Sequence, residues 1–389
     1  MPSLRSVLKR LHNAISLISR DRVGDIDFMD GRTITDTSGR TLVFSVEAFI
    51  SRICEGNGCF VCGKPRSQVP FNDEHVIPRW LLKRYGLFGK AITLPNGEQH
   101  AYGTYTMDCC MTCNSLLGDC LENPMSEMLQ GGFDKVDHQL RDPDNGMLRR
   151  KALFVWLCLL FIKTHLKDRE LRQHRDPRKG VARISDQYAW DMLHHIHCVA
   201  RFPYVGGELA PNVIGTTRWF RIEDNMVVDQ FDYFDLTFDH TMILRIGDLG
   251  LVAVLTDGGK CSQMLRDVLF AVEGEVLTMV QLRELGARLA LANRQLLNRP
   301  RFYTAVDKRS DDVRVLLGAK PNPGLECEPL DPDQLGEIMV FALGSFLDNL
   351  EIDGVGGAEQ VTAIIREGRS SFFLDEEMRF MSRSIAKPI

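Results

Sequence analysis

The chain has no apolar stretch long enough to span a membrane. A transmembrane helix needs about 20 consecutive apolar residues. The longest unbroken run here, Ala152 to Ile162, stops at Lys163 and suits a buried helix, so no membrane partner is expected. The chain also lacks a basic excess. With 47 Lys and Arg against 52 Asp and Glu, its net charge is −5. That excludes a protein that grips nucleic acid over its whole surface and leaves room only for a local basic face. The opening segment, Met1 to Arg20, carries Arg5, Lys9, Arg10 and Arg20 and has no signal-peptide apolar core, so a cytoplasmic protein is expected. There is no internal repeat and no low-complexity tract, which argues against a solenoid or a disordered chain.

What the chain does have is cysteine. It has 11, and six of them lie between Cys54 and Cys113. In a reducing compartment this density points to metal rather than to disulfides. Four fall into two Cys-x-x-Cys pairs, Cys59/Cys62 and Cys110/Cys113, a set suited to tetrahedral zinc. Cys54 and Cys109 stand close enough to be substitutes. Cys110 is preferred because it leaves two residues before Cys113. Gly63 lies where a knuckle needs a left-handed residue to turn backbone N–H groups toward sulfur. The loop between the pairs carries Asp73-Glu74-His75-Val76-Ile77-Pro78-Arg79-Trp80-Leu81, and Asn114 follows the last cysteine. A carboxylate and an amide oxygen suit Mg²⁺ or Mn²⁺, and a neutral His beside such an ion can take a proton from water. Either Asp73 or Glu74 could be the ligand; as strand neighbours they point to opposite faces.

The stretch from Cys59 to Glu122 resembles the HNH (ββα-metal) nuclease family. The likeness is to the branch with paired zinc knuckles, Glu-His-Val-x-Pro-x-Trp-Leu and Cys-x-x-Cys-Asn. It implies Glu74 and Asn114 as ligands of the catalytic ion, His75 as general base, and a structural zinc on Cys59, Cys62, Cys110 and Cys113. It also implies double-stranded DNA as substrate and a place in restriction, mobile-element or phage-defence systems. The chain departs from the family pattern in two ways. No middle Asn or His falls between Tyr102 and Cys109, and Leu117 and Gly118 stand where a further ligand or a Lys is common. Glu122 lies too far along a helix from Asn114 to share an ion and is read as structural, pairing with a basic residue. Arg79 and Lys83 share a helix face and, with Arg84, are the candidate phosphate contacts; Lys64, Arg66 and Lys90 could extend that face.

An α+β fold is expected. It would comprise an N-terminal helix (Ser3 to Ser19) and hairpin over 1–53, the zinc-stabilised ββα-metal HNH module over 54–140, and a larger α+β domain over 147–389, with Arg141 to Gly146 as linker. Within that last domain Phe202 to Leu255 reads as β-rich, with strands at Asn212 to Ile214, Thr217 to Ile222, Met226 to Val228, Leu236 to Phe238, Thr241 to Ile246 and Leu251 to Leu255. His194 and His197 share a helical face, but no acids or cysteines gather with them, so they read as structural. Two other functions compete with a nuclease. A non-catalytic zinc module would bind nucleic acid or protein without needing Glu74, His75 or Asn114. A zinc-dependent nucleobase deaminase fits poorly, because it needs His-x-Glu and a Pro before its Cys-x-x-Cys. A homo-oligomer is left open.

Overall fold

The computed structural model describes residues 31–94, 96–223, 229–307, 314–320 and 324–382. The helix expected over Ser3 to Ser19 and the strand expected at Met226 to Val228 lie outside these residues. Among them, helices and strands are mixed.

The chain divides into two compact units. The first comprises the described part of Met1–Gln130, with Gln139–Val213 and Phe302–Lys320; the second comprises Gly131–His138, Ile214–Arg301 and the described part of Pro321–Ile389. The boundary expected at residue 147 is therefore not where the units part. The reason lies in helix α3 (Gly146–Asp168): buried along nearly its whole length, it needs cover on every side and takes it from the cysteine-rich half.

In the first unit, Asp36 accepts from the backbone N–H of Ser38 and Arg40, and Gly39 turns at φ 77. This closes the expected hairpin between Ile34–Thr35 and Thr41–Val43. Strand β1 (Phe71–His75) leads to helix α1 (Arg79–Arg84) and then to a small hairpin, Ala91–Thr93 with Gln99–Ala101. Strand β2 (Thr106–Cys110) returns antiparallel to β1, with Asp73 opposite Asp108, Glu74 opposite Met107 and His75 opposite Thr106. Helix α2 (Met111–Leu117) follows at once and packs on both strands, starting three residues before the expected Asn114. Asn123-Pro124 reads in the sequence as the break that ends this helix, but no break occurs there. One wide π turn (Gly118–Glu122) leads straight into the helix Asn123–Leu129. Pro124 sits in that helix's first turn, where a missing N–H costs nothing. Helix α3 and helix α4 (Trp190–Ala200) pack together. The strands Phe302–Asp307 and Arg314–Ala319 pair antiparallel, and the second runs parallel to Glu208–Leu209.

In the second unit, strands β3 (Thr217–Ile222), β4 (Phe231–Leu236), β5 (Thr241–Ile246), β6 (Leu249–Val254) and β7 (Val276–Leu277) form one sheet in the order β7-β3-β6-β5-β4. Helix α5 (Met279–Gln295) buries Leu282, Leu285 and Leu289 against Ile243 and Val252. Two expected strands differ. Asn212 to Ile214 is largely a 3₁₀ turn (Pro211–Val213), and Leu236 to Phe238 is the end of β4 followed by another such turn (Thr237–Asp239). β4 (Phe-Asp-Tyr-Phe-Asp-Leu) mixes aromatics with two acids and forms an edge of the sheet, where the acidic side chains stay half-buried.

Candidate metal centre and active site

Cys59 and Cys62 are set by a tight turn in which Gly63 takes φ 74, the left-handed conformation expected from its position. A side chain there would also collide with the Phe44 ring, 2.6 Å from where its Cβ would sit. The turn aims the N–H of Cys62 at the Cys59 sulfur and that of Lys64 at the Cys62 sulfur. Cys110 ends β2 and Cys113 lies in the first turn of α2. The four sulfurs lie within 4.8 Å of one another, all buried. Tetrahedral zinc at about 2.3 Å from each thiolate would hold sulfurs about 3.8 Å apart, and the Cys62–Cys110 pair stands at 3.8 Å. The donor set and its spacing therefore fit one zinc-like ion. Cys109 approaches Cys59 at 3.9 Å but is not one of the mutually close four, and neither is Cys54.

The sulfur contacts carry their own electrostatic signature. Hydrogen bonding from Cys109, Cys113 and Cys62 holds the Cys59 thiol far below the ordinary thiol range. Contact with Cys59 in turn drives Cys109 and Cys113 far above it. Thiols this close cannot all ionise by themselves. A bound divalent cation removes that conflict.

The strand β1 that follows the first knuckle alternates its faces. Asn72 and Glu74 point one way: Asn114 Nδ2 donates to Asn72 Oδ1 at 3.0 Å, and Glu74 Oε1 accepts from Lys163 Nζ at 2.8 Å. Lys163 also donates to Glu122 Oε1 at 3.2 Å and to the His75 carbonyl at 3.0 Å. The Lys163 side chain is 0% exposed, and those of Glu74 and Glu122 are 15% and 14% exposed. Glu122 thus pairs with a basic residue, as read from the sequence, and burial pushes its carboxyl above the usual range despite the ammonium. The ammonium itself is held above the usual lysine range by the two carboxylates in spite of its burial. Among the described residues, the only cluster of three or more His, Cys, Asp or Glu side chains with metal-like spacing is the cysteine set. Glu74 is therefore committed in part to an internal cation. The Asn114 side-chain Oδ1 has no donor among the described residues.

His75 is the last residue of β1, next to Glu74. Its ring meets Phe88 edge-on at 6.1 Å and makes no hydrogen bond among the described residues. Burial is the main force lowering its pKa, helped by the cations of Arg79 and Lys163 and opposed by Glu74. Asp73 is exposed, so of the two candidate acids only Glu74 reaches the inner face. Arg79 and Lys83 project from α1 into solvent with no ion pair among the described residues. Arg84 is engaged otherwise: it donates to the Gln130 carbonyl at 2.8 Å and lies 5.5 Å over the Tyr85 ring. Arg66 pairs with Asp108 and lies 4.8 Å over Phe71. His194 and His197 are structural, with Nε2 atoms 2.9 Å from the Phe44 carbonyl and 2.7 Å from the Phe60 carbonyl.

Lys163 escaped the sequence reading, although its signal was there. A lysine is almost never fully buried without a partner, and this one ends the longest apolar run in the chain, inside a helix. Comparison with protein-family models, with curated proteins and with solved structures found no match.

Proposed function

We propose that the chain is a metal-dependent endonuclease that hydrolyses phosphodiester bonds of double-stranded DNA, with His75 as general base. The observation that carries this reading is the setting of His75. It is a ring without a hydrogen-bond partner among the described residues, and partial burial favours its neutral form. It stands beside Glu74, on a strand whose returning partner runs straight into the helix bearing Asn114. A neutral imidazole can take the proton of an attacking water, a contribution of roughly 10²–10⁴-fold in rate. Arg79 and Lys83, exposed on the helix that follows, would bind backbone phosphates. Glu74, through the oxygen that Lys163 leaves, and Asn114 would hold Mg²⁺ or Mn²⁺. Such an ion, when bound, supplies charge stabilisation to the leaving oxygen. Zinc on the four cysteines would hold the frame. Work in a defence or mobile-element system is proposed on the sequence resemblance alone.

One observation favours a second reading. Glu74 already carries an ammonium at 2.8 Å, which it shares with Glu122, and it belongs to no metal-spaced group of three or more such side chains among the described residues. That suits a module that binds nucleic acid or protein without cutting. Supercoiled plasmid separates the two, using wild type and His75→Ala after zinc analysis of both, with Mg²⁺, with Mn²⁺ and with EDTA. Nicking by wild type that EDTA stops and His75→Ala lacks by at least a hundredfold is the expected outcome. Equal cleavage by the two proteins, or none by either, overturns the nuclease reading.

A further inference from the structure

Arg201 follows α4 and is 1% exposed. Its guanidinium donates to three carbonyls: Val61 at 2.5 Å, Thr41 at 2.6 Å and Leu42 at 3.3 Å. It lies 4.4 Å over the Phe44 ring and 5.5 Å over Tyr204. No carboxylate pairs with it among the described residues. An arginine stays charged, and a fully buried charge without a counterion is among the costliest arrangements in a protein. The groups that favour its charge are, in falling order, the Cys198 thiol, the Tyr204 hydroxyl and the sulfurs of Cys62 and Cys113, so two of the four belong to the cysteine cluster.

Val61 lies between the cysteines of the first knuckle. One helical turn before Arg201, His197 holds the preceding carbonyl, that of Phe60, at 2.7 Å. α4 and the residue after it thus grip both carbonyls of the knuckle. They do so with one neutral and one charged donor, because burial keeps His197 far below the usual histidine range and its Nδ1 has no partner. Lys64, next to the knuckle in sequence, is exposed. A divalent ion with four thiolates carries a net double negative charge, and Arg201 is a buried cation bonded to the knuckle that bears two of them.

We propose that Arg201 is the charge-balancing and positioning residue of the four-cysteine metal centre. Its charge offsets the excess negative charge of the metal–thiolate set, and its Nε–H fixes the knuckle through Val61. The proposal rests on the four thiols holding a metal, so the zinc content of the wild type is measured first. A wild type without zinc removes that reading; the outcomes below concern Arg201 alone.

The test compares R201Q, which keeps donors but loses the charge, with R201K, which keeps the charge but loses the planar fork. Each full-length protein competes for zinc against a chromogenic chelator and is also loaded with Co²⁺ to record the thiolate charge-transfer bands. Partners outside the ligand set typically contribute 10- to 100-fold to metal affinity. R201Q should lose zinc affinity by that factor and R201K by only a few fold, both keeping a tetrahedral cobalt spectrum. Zinc affinity equal to wild type in R201Q, or a greater loss in R201K than in R201Q, overturns the proposal and leaves Arg201 as a structural tie. If R201Q is too unstable to purify, R201K decides alone, since a hundredfold loss with the charge retained also overturns it.

Discussion

In the second unit Glu284 is fully buried on α5 and accepts from the Arg288 guanidinium at 2.7 Å, Ser371 Oγ at 2.9 Å and the Phe372 N–H at 2.5 Å. Asp257, equally buried, accepts from Thr216 N, Thr216 Oγ1 and Cys261 N between 2.5 and 2.8 Å. Each of these carboxylates has three donors and ties one segment to another. In the first unit, beside the closed Glu74–Lys163–Glu122 set, several polar groups of the cysteine-rich half are not closed in this way. Four thiols crowd together, Arg201 is buried without a carboxylate, the His75 ring has no hydrogen bond among the described residues, and Arg79 and Lys83 stand in solvent. Buried polar groups that are fully satisfied rigidify a fold. Groups left open in one stretch mark where something from outside is to bind.

The largest effect should come from emptying the cysteine cluster. Cys113→Ser should lose the metal and unfold the first unit, because structural zinc supplies on the order of 10–16 kcal/mol in small zinc modules. Metal analysis and circular dichroism read this directly, and a folded, metal-loaded Cys113→Ser protein would break the comparison. Next comes Lys163→Met. It leaves two partly buried carboxylates without their cation, and breaking a buried pair costs about 3–5 kcal/mol. A denaturant midpoint unchanged from wild type would show that Lys163 does not bind the two glutamates together.

Glu284→Gln sharpens the contrast from the other side. It should cost about 1–3 kcal/mol of stability and leave plasmid cleavage unchanged; lost cleavage in a folded variant would tie α5 to the chemistry. The smallest expected effect is on pH dependence. Burial disfavours the His75 imidazolium and lowers its pKa from the ordinary 6.5. The base therefore stays neutral to more acid pH, and the acid limb of cleavage should have its midpoint below 6.5. A midpoint above it would remove His75 as the titrating base.

Much of the first unit was legible because its residues act locally. Cys-x-x-Cys with Gly63, the Asp36 turn and the helix after Pro78 are set by short-range backbone geometry, and each lies where the sequence places it. The four ligating cysteines, with Cys110 rather than Cys109, were also legible, since a two-residue gap fixes which sulfurs can converge. What escaped was long-range. Nothing near Glu74 in sequence announces that Lys163 will reach it, or that Arg201 will hold Val61. The linker at Arg141 to Gly146 carries every local sign of a boundary, yet α3 beyond it belongs with the cysteine-rich half because its apolar faces need that cover. β4 was missed because an edge strand can mix acids with aromatics and so lacks a buried apolar run.

The central claim is that a four-cysteine metal centre organises the stretch that carries His75. The metal content of the purified native chain, measured together with the reactivity of its thiols, tests this most directly. The account predicts one zinc per chain and four thiols that stay unreactive until a chelator removes the metal. A folded chain without zinc, with Cys59, Cys62, Cys110 and Cys113 all open to a thiol reagent once denatured and no metal released, would contradict it.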